Sequence, residues 1–188
     1  MKKCGMALLS RICFQSTHRK AKIEMSKLRF YHIHEGYIQF LHKIDHRVQL
    51  NKGERRPYIG IVLTIGEHEY YVPLESPKPN HKNIRSGGPV LKLDEGRLGI
   101  MGFNNMIPVK RYQLIPFDIL AEPNLQYRNL LLNQLRYCEQ HKALIFARAQ
   151  TTYQKAVSGN NPFYCKVCCD FKRLETIYST YRIKKTTQ

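Results

Sequence analysis

Tyr58-Ile59-Gly60-Ile61-Val62-Leu63-Thr64-Ile65-Gly66-Glu67-His68-Glu69-Tyr70-Tyr71-Val72-Pro73-Leu74-Glu75 reads as two β-strands folded back on one another. β-Branched and aromatic residues dominate both runs, Tyr58 to Ile65 and Glu69 to Leu74. The break at Gly66 between them marks a hairpin. The second strand then meets Ser76-Pro77-Lys78-Pro79-Asn80-His81. Two prolines rule out a continuing central strand and stiffen the segment beyond it. A rigid turn at a sheet end therefore holds a hydroxyl, an ammonium and an imidazole within six residues. Arg55, Arg56 and Tyr58 stand just before the hairpin, and pairing of the strands brings them toward the turn. Cations, a hydroxyl and an imidazole suit the handling of phosphate.

Working outward, the pattern is a strand and a helix, then a run of strands, then helices. Leu28 to Ile33 is a short strand. Glu35 to Val48 is a helix, with Tyr37, Leu41, Ile44 and Val48 on one face. Val90 to Leu93, Gly99 to Phe103 and Met106 to Leu114 are candidate strands of the same sheet. Residues 77–99 between them are rich in loop signals and carry Lys78, Lys82, Arg85 and Lys92. Pro123 precedes a helical stretch from about Asn124 to Val157, with a break expected near Lys142 and a stop at Gly159-Asn160-Asn161-Pro162. Asp170 is a good N-cap for a last helix. This order argues an α+β fold with an antiparallel sheet.

The chain has 188 residues, most simply one domain, with 31 Lys and Arg against 14 Asp and Glu. Of the net +17, residues 1–24 carry +5 (six cations and one acid), which leaves +12 on the remainder. Charge on that scale points to a polyanionic partner, and to nucleic acid before a membrane surface, because no basic amphipathic helix stands out. No run approaches the ~18 apolar residues of a membrane span. The patch Met6 to Leu9 is too short for a secretory core of about 7–15 residues. Residues 1–24 are expected to form a basic, disordered extension, with Met25 a candidate start and 25–188 the domain proper.

Six cysteines raise the question of metal. Cys138-x-x-His141 and Cys165-x-x-Cys168 together make a Cys₃His set of the kind that binds structural zinc. Against it, Cys138 falls on the apolar stripe Leu131, Leu135, Cys138, Ile145, where buried free cysteine is common. No metal or other cofactor is expected, and no secretion signal supports disulfides.

Several landmarks, taken in order, resemble the ToxN/AbiQ family, the endoribonuclease toxins of type III toxin–antitoxin systems. Leu28-Arg29-Phe30-Tyr31 with Tyr37-Ile38 is similar to that family's opening strand and helix. Pro57 to Leu63 resembles its second strand, and Pro73-Leu74-Glu75-Ser76-Pro77-Lys78 with His81 its active-site turn. Asn105-Met106-Ile107-Pro108-Val109 and Cys169-Asp170-Phe171 match two further landmarks. The resemblance covers about Met25 to Arg182, with one departure: Glu75 stands where some members carry Thr. It implies a compact, twisted antiparallel sheet flanked by helices. It also implies cytoplasmic mRNA as substrate, inhibition by a small repeated, folded antitoxin RNA, and an RNA–protein hetero-oligomer.

RNA brings its own nucleophile, the 2′-hydroxyl, so such an enzyme needs a base, cations for the phosphorane and an acid for the leaving oxygen. His81 is the candidate acid or base, since its ordinary pKa lies near neutrality. A histidine taken at random is structural, and only its place in the turn singles this one out. Lys78 is expected to stabilise charge on the non-bridging oxygens. Ser76 is expected to bond the phosphate or position the 2′-hydroxyl, against the plain alternative of a Ser-Pro turn. Arg56 and Arg55 are candidates to grip phosphate, Arg56 matching the family's basic position before the hairpin. Lys82 and Arg85 extend the basic groove. Tyr37 and Tyr58 are candidates to stack a base, with a core role competing for Tyr37. Asn105 either caps the site or turns the chain. A non-catalytic, basic RNA-binding protein fits the charge and the tyrosines equally well, but has no use for Ser76, Lys78 and His81 as a set.

Overall fold

The computed structural model describes residues 27–182 apart from 52, 54 and 86; the expected basic extension over 1–24 lies outside the described residues. The strands are β1 (Arg29–Ile33), β2 (Tyr58–Ile65), β3 (His68–Glu75), β4 (Val90–Lys92), β5 (Ile100–Gly102), β6 (Ile107–Pro108) and β7 (Leu114–Pro116). The helices are α1 (Glu35–Ile44), α2 (Leu125–Gln140), α3 (Lys142–Val157), α4 (Pro162–Val167) and α5 (Phe171–Ile177). The strands form one seven-stranded antiparallel sheet in the order β4-β5-β3-β2-β1-β7, with β6 on β3. The fold is α+β in a single domain.

The hairpin is where the sequence places it. Ile65 pairs with His68, so the connection is Gly66-Glu67, and Gly66 takes φ +59 as the first residue of a two-residue primed turn must. β3 is the hub. One edge pairs with β2, and the other is shared by β6 at Tyr70 and Tyr71 and by β5 at Leu74 and Glu75. The end of β3 is therefore hydrogen-bonded on both sides just before the proline-rich turn, because Leu74 N also donates to Pro57 O at 3.0 Å.

The helices cover the sheet through aromatic contacts. Tyr70 of β3 stands edge-on to Tyr153 of α3 and to Phe171 of α5, with centroids 5.8 Å away in both cases. The Glu175 carboxylate accepts from Tyr70 at 2.8 Å and from Tyr153 at 2.7 Å, and Lys172 donates to it at 3.0 Å. Burial opposes its ionisation, but these donors hold the Glu175 carboxyl below the usual carboxylate range. One buried charge thus fastens two helices to the central strand. A second carboxylate, Asp45, accepts from Arg47 at 2.8 Å and from Asp170 N at 2.7 Å, tying the end of α1 to the cap of α5. Asp170 itself caps α5 by accepting from Arg173 N at 3.1 Å.

Three sequence expectations change. The run Met106 to Leu114 is not one strand but β6, a 3-10 turn at Arg111–Gln113, and β7. Pro108 lacks the N–H that a continuing ladder needs, and the Gln113 side chain accepts from Lys110 N at 3.0 Å, which closes the turn. The first helix ends at Ile44, and Val48 is buried from the loop beyond it. Gly159 to Pro162 ends α3 and also begins α4, with Asn161 as N-cap accepting from Tyr164 N at 3.2 Å and Pro162 in the first turn.

Gly99 packs directly behind the end of β3. It has φ +96, and a Cβ built on it would lie 1.9 Å from Glu75 O and 3.1 Å from the Ser76 carbonyl carbon. Gly99→Ala is expected to cost roughly 2–5 kcal/mol, since backbone strain and overpacking add at one point. Gly53→Ala is the control, because Gly53 has φ +69 with no atom within 4 Å of that position, and is expected to cost about 1 kcal/mol. Urea midpoints of the two variants check the difference; equal shifts would show that Gly99 tolerates the contact.

Candidate active site

The site forms where β3 ends. Glu75 is the last strand residue, paired with Ile100. Ser76 and Lys78 come next, both exposed, and Pro79–Asn83 is a 3-10 turn with a proline in its first turn. His81 N donates to Lys78 O at 3.0 Å, so the turn folds back on itself.

Two of the expected side chains, Lys78 and Arg56, come together through one carboxylate, that of Glu75. Lys78 Nζ lies 2.6 Å from Glu75 Oε2. Gln49 Nε2 donates to Glu75 Oε1 at 3.4 Å, and Arg56 Nη1 lies 4.0 Å from that oxygen. Arg56 Nη1 also donates to Gln49 Oε1 at 2.6 Å, and its Nε donates to Leu50 O at 3.2 Å. Burial opposes ionisation of Glu75. The hydrogen bond and charge of Lys78, then the charge of Arg56, outweigh it and lower the Glu75 pKa.

His81 is placed differently from the open turn that the sequence suggests. The imidazole packs inward, 2% exposed, with Nδ1 buried and unpartnered among the described residues. Gly96 backs it, with room for no more than van der Waals contact at His81 Cβ. Burial lowers the His81 pKa; the nearby Glu75 charge partly opposes this and the Lys78 charge adds to it. The ring is therefore neutral at pH 7.

The remaining candidates divide. Arg55, Lys82 and Arg85 are exposed, and Lys92 Nζ donates to the Lys82 carbonyl at 2.9 Å. Tyr37 and Tyr58 are corrected by position: both lie in the core at 0% and 1% exposure and present no ring face to solvent. The Tyr37 hydroxyl donates to Pro108 O at 2.6 Å, which satisfies its polar end inside the core. Tyr58 sits at the centre of the sheet, opposite Tyr31 and Pro73. Asn105 is buried in the 3-10 turn Phe103–Asn105 and accepts from Asn104 Nδ2 at 3.1 Å, so it turns the chain beneath α4.

Among the described residues no three His, Cys, Asp or Glu side chains come together as metal ligands, so Cys138, His141, Cys165 and Cys168 do not form the Cys₃His set. His141 stacks on Tyr137 at 3.9 Å, and Cys138 and Cys168 are buried while Cys165 is exposed.

Sequence reading missed Gln49 and Gly99. Gln49 lies in a loop with no motif around it, and only the fold brings it to Arg56. Gly99 had only a weak signal, a glycine at the start of a candidate strand, where close backbone approach is one of several readings.

The fold is α+β, an antiparallel sheet whose strand β3 ends in an exposed turn carrying Lys78. The family model for ToxN toxins of type III toxin–antitoxin systems matches residues 29–179. The chain belongs to this ToxN toxin family. It is 32% identical over 165 residues to the endoribonuclease ToxN of Bacillus thuringiensis subsp. kurstaki, covering 82% of this chain and 84% of that protein. It is 30% identical over 173 residues to the endoribonuclease AbiQ of Lactococcus lactis subsp. lactis, covering 86% and 93%. A solved structure of a type III system, described as selective toxin inhibition by a non-coding RNA pseudoknot, superposes with a TM-score of 0.70. Identity to it is 32%, with 83% of this chain and 98% of that chain covered.

Proposed function

We propose that this protein is the endoribonuclease toxin of a type III toxin–antitoxin system. It cleaves cytoplasmic mRNA, and its own antitoxin precursor, at the end of β3. It is held inactive by a small, repeated, folded antitoxin RNA in an RNA–protein hetero-oligomer that occupies the same basic groove. The names of its relatives support the activity. Among the described residues no helix is long and apolar enough to cross a membrane. The observation that carries the reading is the convergence of Lys78, Arg56 and His81 on the strand end at Glu75.

The chemistry comes from those groups. A phosphodiester enters the exposed mouth between Ser76, Lys78 and Arg56. Neutral His81 takes the 2′-hydroxyl proton as O2′ attacks phosphorus. The P–O5′ bond breaks, and the 5′-oxygen leaves with a proton delivered by imidazolium or water. Products are a 2′,3′-cyclic phosphate and a 5′-hydroxyl. Lys78 and Arg56 balance the charge that grows on the non-bridging oxygens. Since the ring is 2% exposed, the residues that cover it must yield before the substrate hydroxyl reaches it. Ser76 and Lys78 need no such movement.

Every step uses side chains and the substrate's own hydroxyl. Cleavage in excess EDTA is therefore expected to run at the untreated rate, with cyclic-phosphate ends on mass spectrometry. Loss of activity restored by a divalent ion, or 3′-hydroxyl ends, would overturn the mechanism.

A further inference from the structure

Glu75 is an unusual neighbour for a phosphate site. It is an anion that the chain itself installs among the cations proposed to bind phosphate. Its backbone has little freedom, being paired to Ile100 on one side and pressed by Gly99 from behind. Its carboxylate takes Lys78 on one oxygen at 2.6 Å, and Gln49 at 3.4 Å with Arg56 at 4.0 Å on the other. Lys78 and Gln49 thus donate one to each oxygen while Arg56, whose Nη1 donates to Gln49, adds its charge alongside, an arrangement that suits any planar or tetrahedral anion with two accessible oxygens. A phosphodiester presents two non-bridging oxygens with one negative charge, as a carboxylate does. The Glu75 side chain is 22% exposed and that of Lys78 51% exposed, so the cradle opens to solvent on its lysine side.

We propose that Glu75 is a resident competitor for the phosphate cradle: it occupies the Lys78 and Gln49 donors beside the Arg56 charge in the free protein, and an RNA phosphate binds by displacing it. The proposal rests on the RNA-cleaving reading above. Its consequence is a tuned affinity. Each phosphate seated on Lys78 must first break the ion pair with Glu75 and then lie beside the released carboxylate. Both effects weaken binding, so only RNA that makes further contacts with Arg55, Lys82 or Arg85 wins the exchange. Glu75 is thus a specificity-determining residue, favouring RNAs long enough to span the groove over isolated phosphates.

The test uses the full chain, a single-stranded 2′-O-methyl RNA oligonucleotide that cannot be cleaved, and the unmodified RNA of the same sequence. Glu75→Gln removes the charge and keeps the shape; Glu75→Thr is the second variant should the first fold poorly; Glu75→Asp keeps the charge. The neutral variants are expected to bind the uncleavable RNA about two- to tenfold more tightly, the range set by release of one partly exposed ion pair. Their log K against log salt should steepen by up to about 0.7, one further neutralised phosphate of a single strand. KM for cleavage should fall while kcat changes far less than KM, and Glu75→Asp, which keeps the charge, should show a smaller gain in RNA affinity than the neutral variants. A kcat reduced by about a hundredfold or more with unchanged affinity would make Glu75 an acid–base group and overturn the proposal. Unchanged or weaker RNA binding with an unchanged thermal midpoint would overturn it as well, leaving a merely structural pair. A wild-type protein that shows no salt-dependent RNA binding would instead sink the functional reading on which the proposal rests.

Discussion

Lys78→Ala is expected to lower the single-turnover rate of RNA cleavage by about 10²–10³-fold, the cost of removing one preorganised donor to a developing oxyanion. The fold survives. The lysine side chain is 51% exposed and its ion pair with Glu75 lies at the protein surface, so its loss costs at most about 1 kcal/mol. Glu75 keeps Gln49 and Arg56 as partners. Lys78→Arg restores only part of the rate, since a planar fork does not replace a compact ammonium at 2.6 Å. The measurement pairs cleavage rate with the urea midpoint. A Lys78→Ala protein that cleaves at the wild-type rate would remove this residue from the mechanism, and one that unfolds would make it structural.

His81→Gln is the second large effect, with cleavage lower by about 10²–10⁴-fold if the imidazole carries the proton. Its environment gives a distinct pH signature. Burial holds its pKa below the ordinary histidine value of 6.5. The neutral, base form therefore persists below that value, and the acid limb of kcat/KM lies below pH 6.5. The sign for stability runs the same way. Between the lowered folded pKa and 6.5 the unfolded chain binds more protons than the folded one, so wild-type stability falls as pH drops through that window. The Gln variant does not titrate and loses this part of the slope. An acid limb unchanged in position and in depth between the two proteins would show that His81 does not supply the proton transfer.

The hairpin, the opening strand and the last helix were legible because each rests on local chemistry. β-Branched and aromatic enrichment on both sides of Gly66 and an N-capping aspartate at Asp170 need no distant partner. The break in the long helix was legible for the same reason, and it falls at His141, between Gln140 and Lys142. The Met106 to Leu114 run misled because its apolar pattern continues through Pro108 and Gln113, while hydrogen bonding does not.

The candidate site divides along the same line. By itself the chain's sequence determined which chemical groups sit together in the turn, since Ser76, Lys78 and His81 are covalent near-neighbours between prolines. It also determined the net charge that calls for a polyanion. Only the tertiary structure decided which of them face solvent. Lys78 points out and His81 points in, because the 3-10 turn at Pro79–Asn83 rolls the imidazole toward Gly96. Tyr58 went to the core because a seven-stranded sheet covered by helices leaves its central positions no access to water, and Tyr37 because it stands on the buried face of α1 with its hydroxyl on Pro108 O. The meeting of Gln49 and Arg56 with Glu75 joins segments on opposite sides of the hairpin. Their contact is an outcome of β2 pairing with β3 beneath the loop that comes after α1, and no local pattern encodes it.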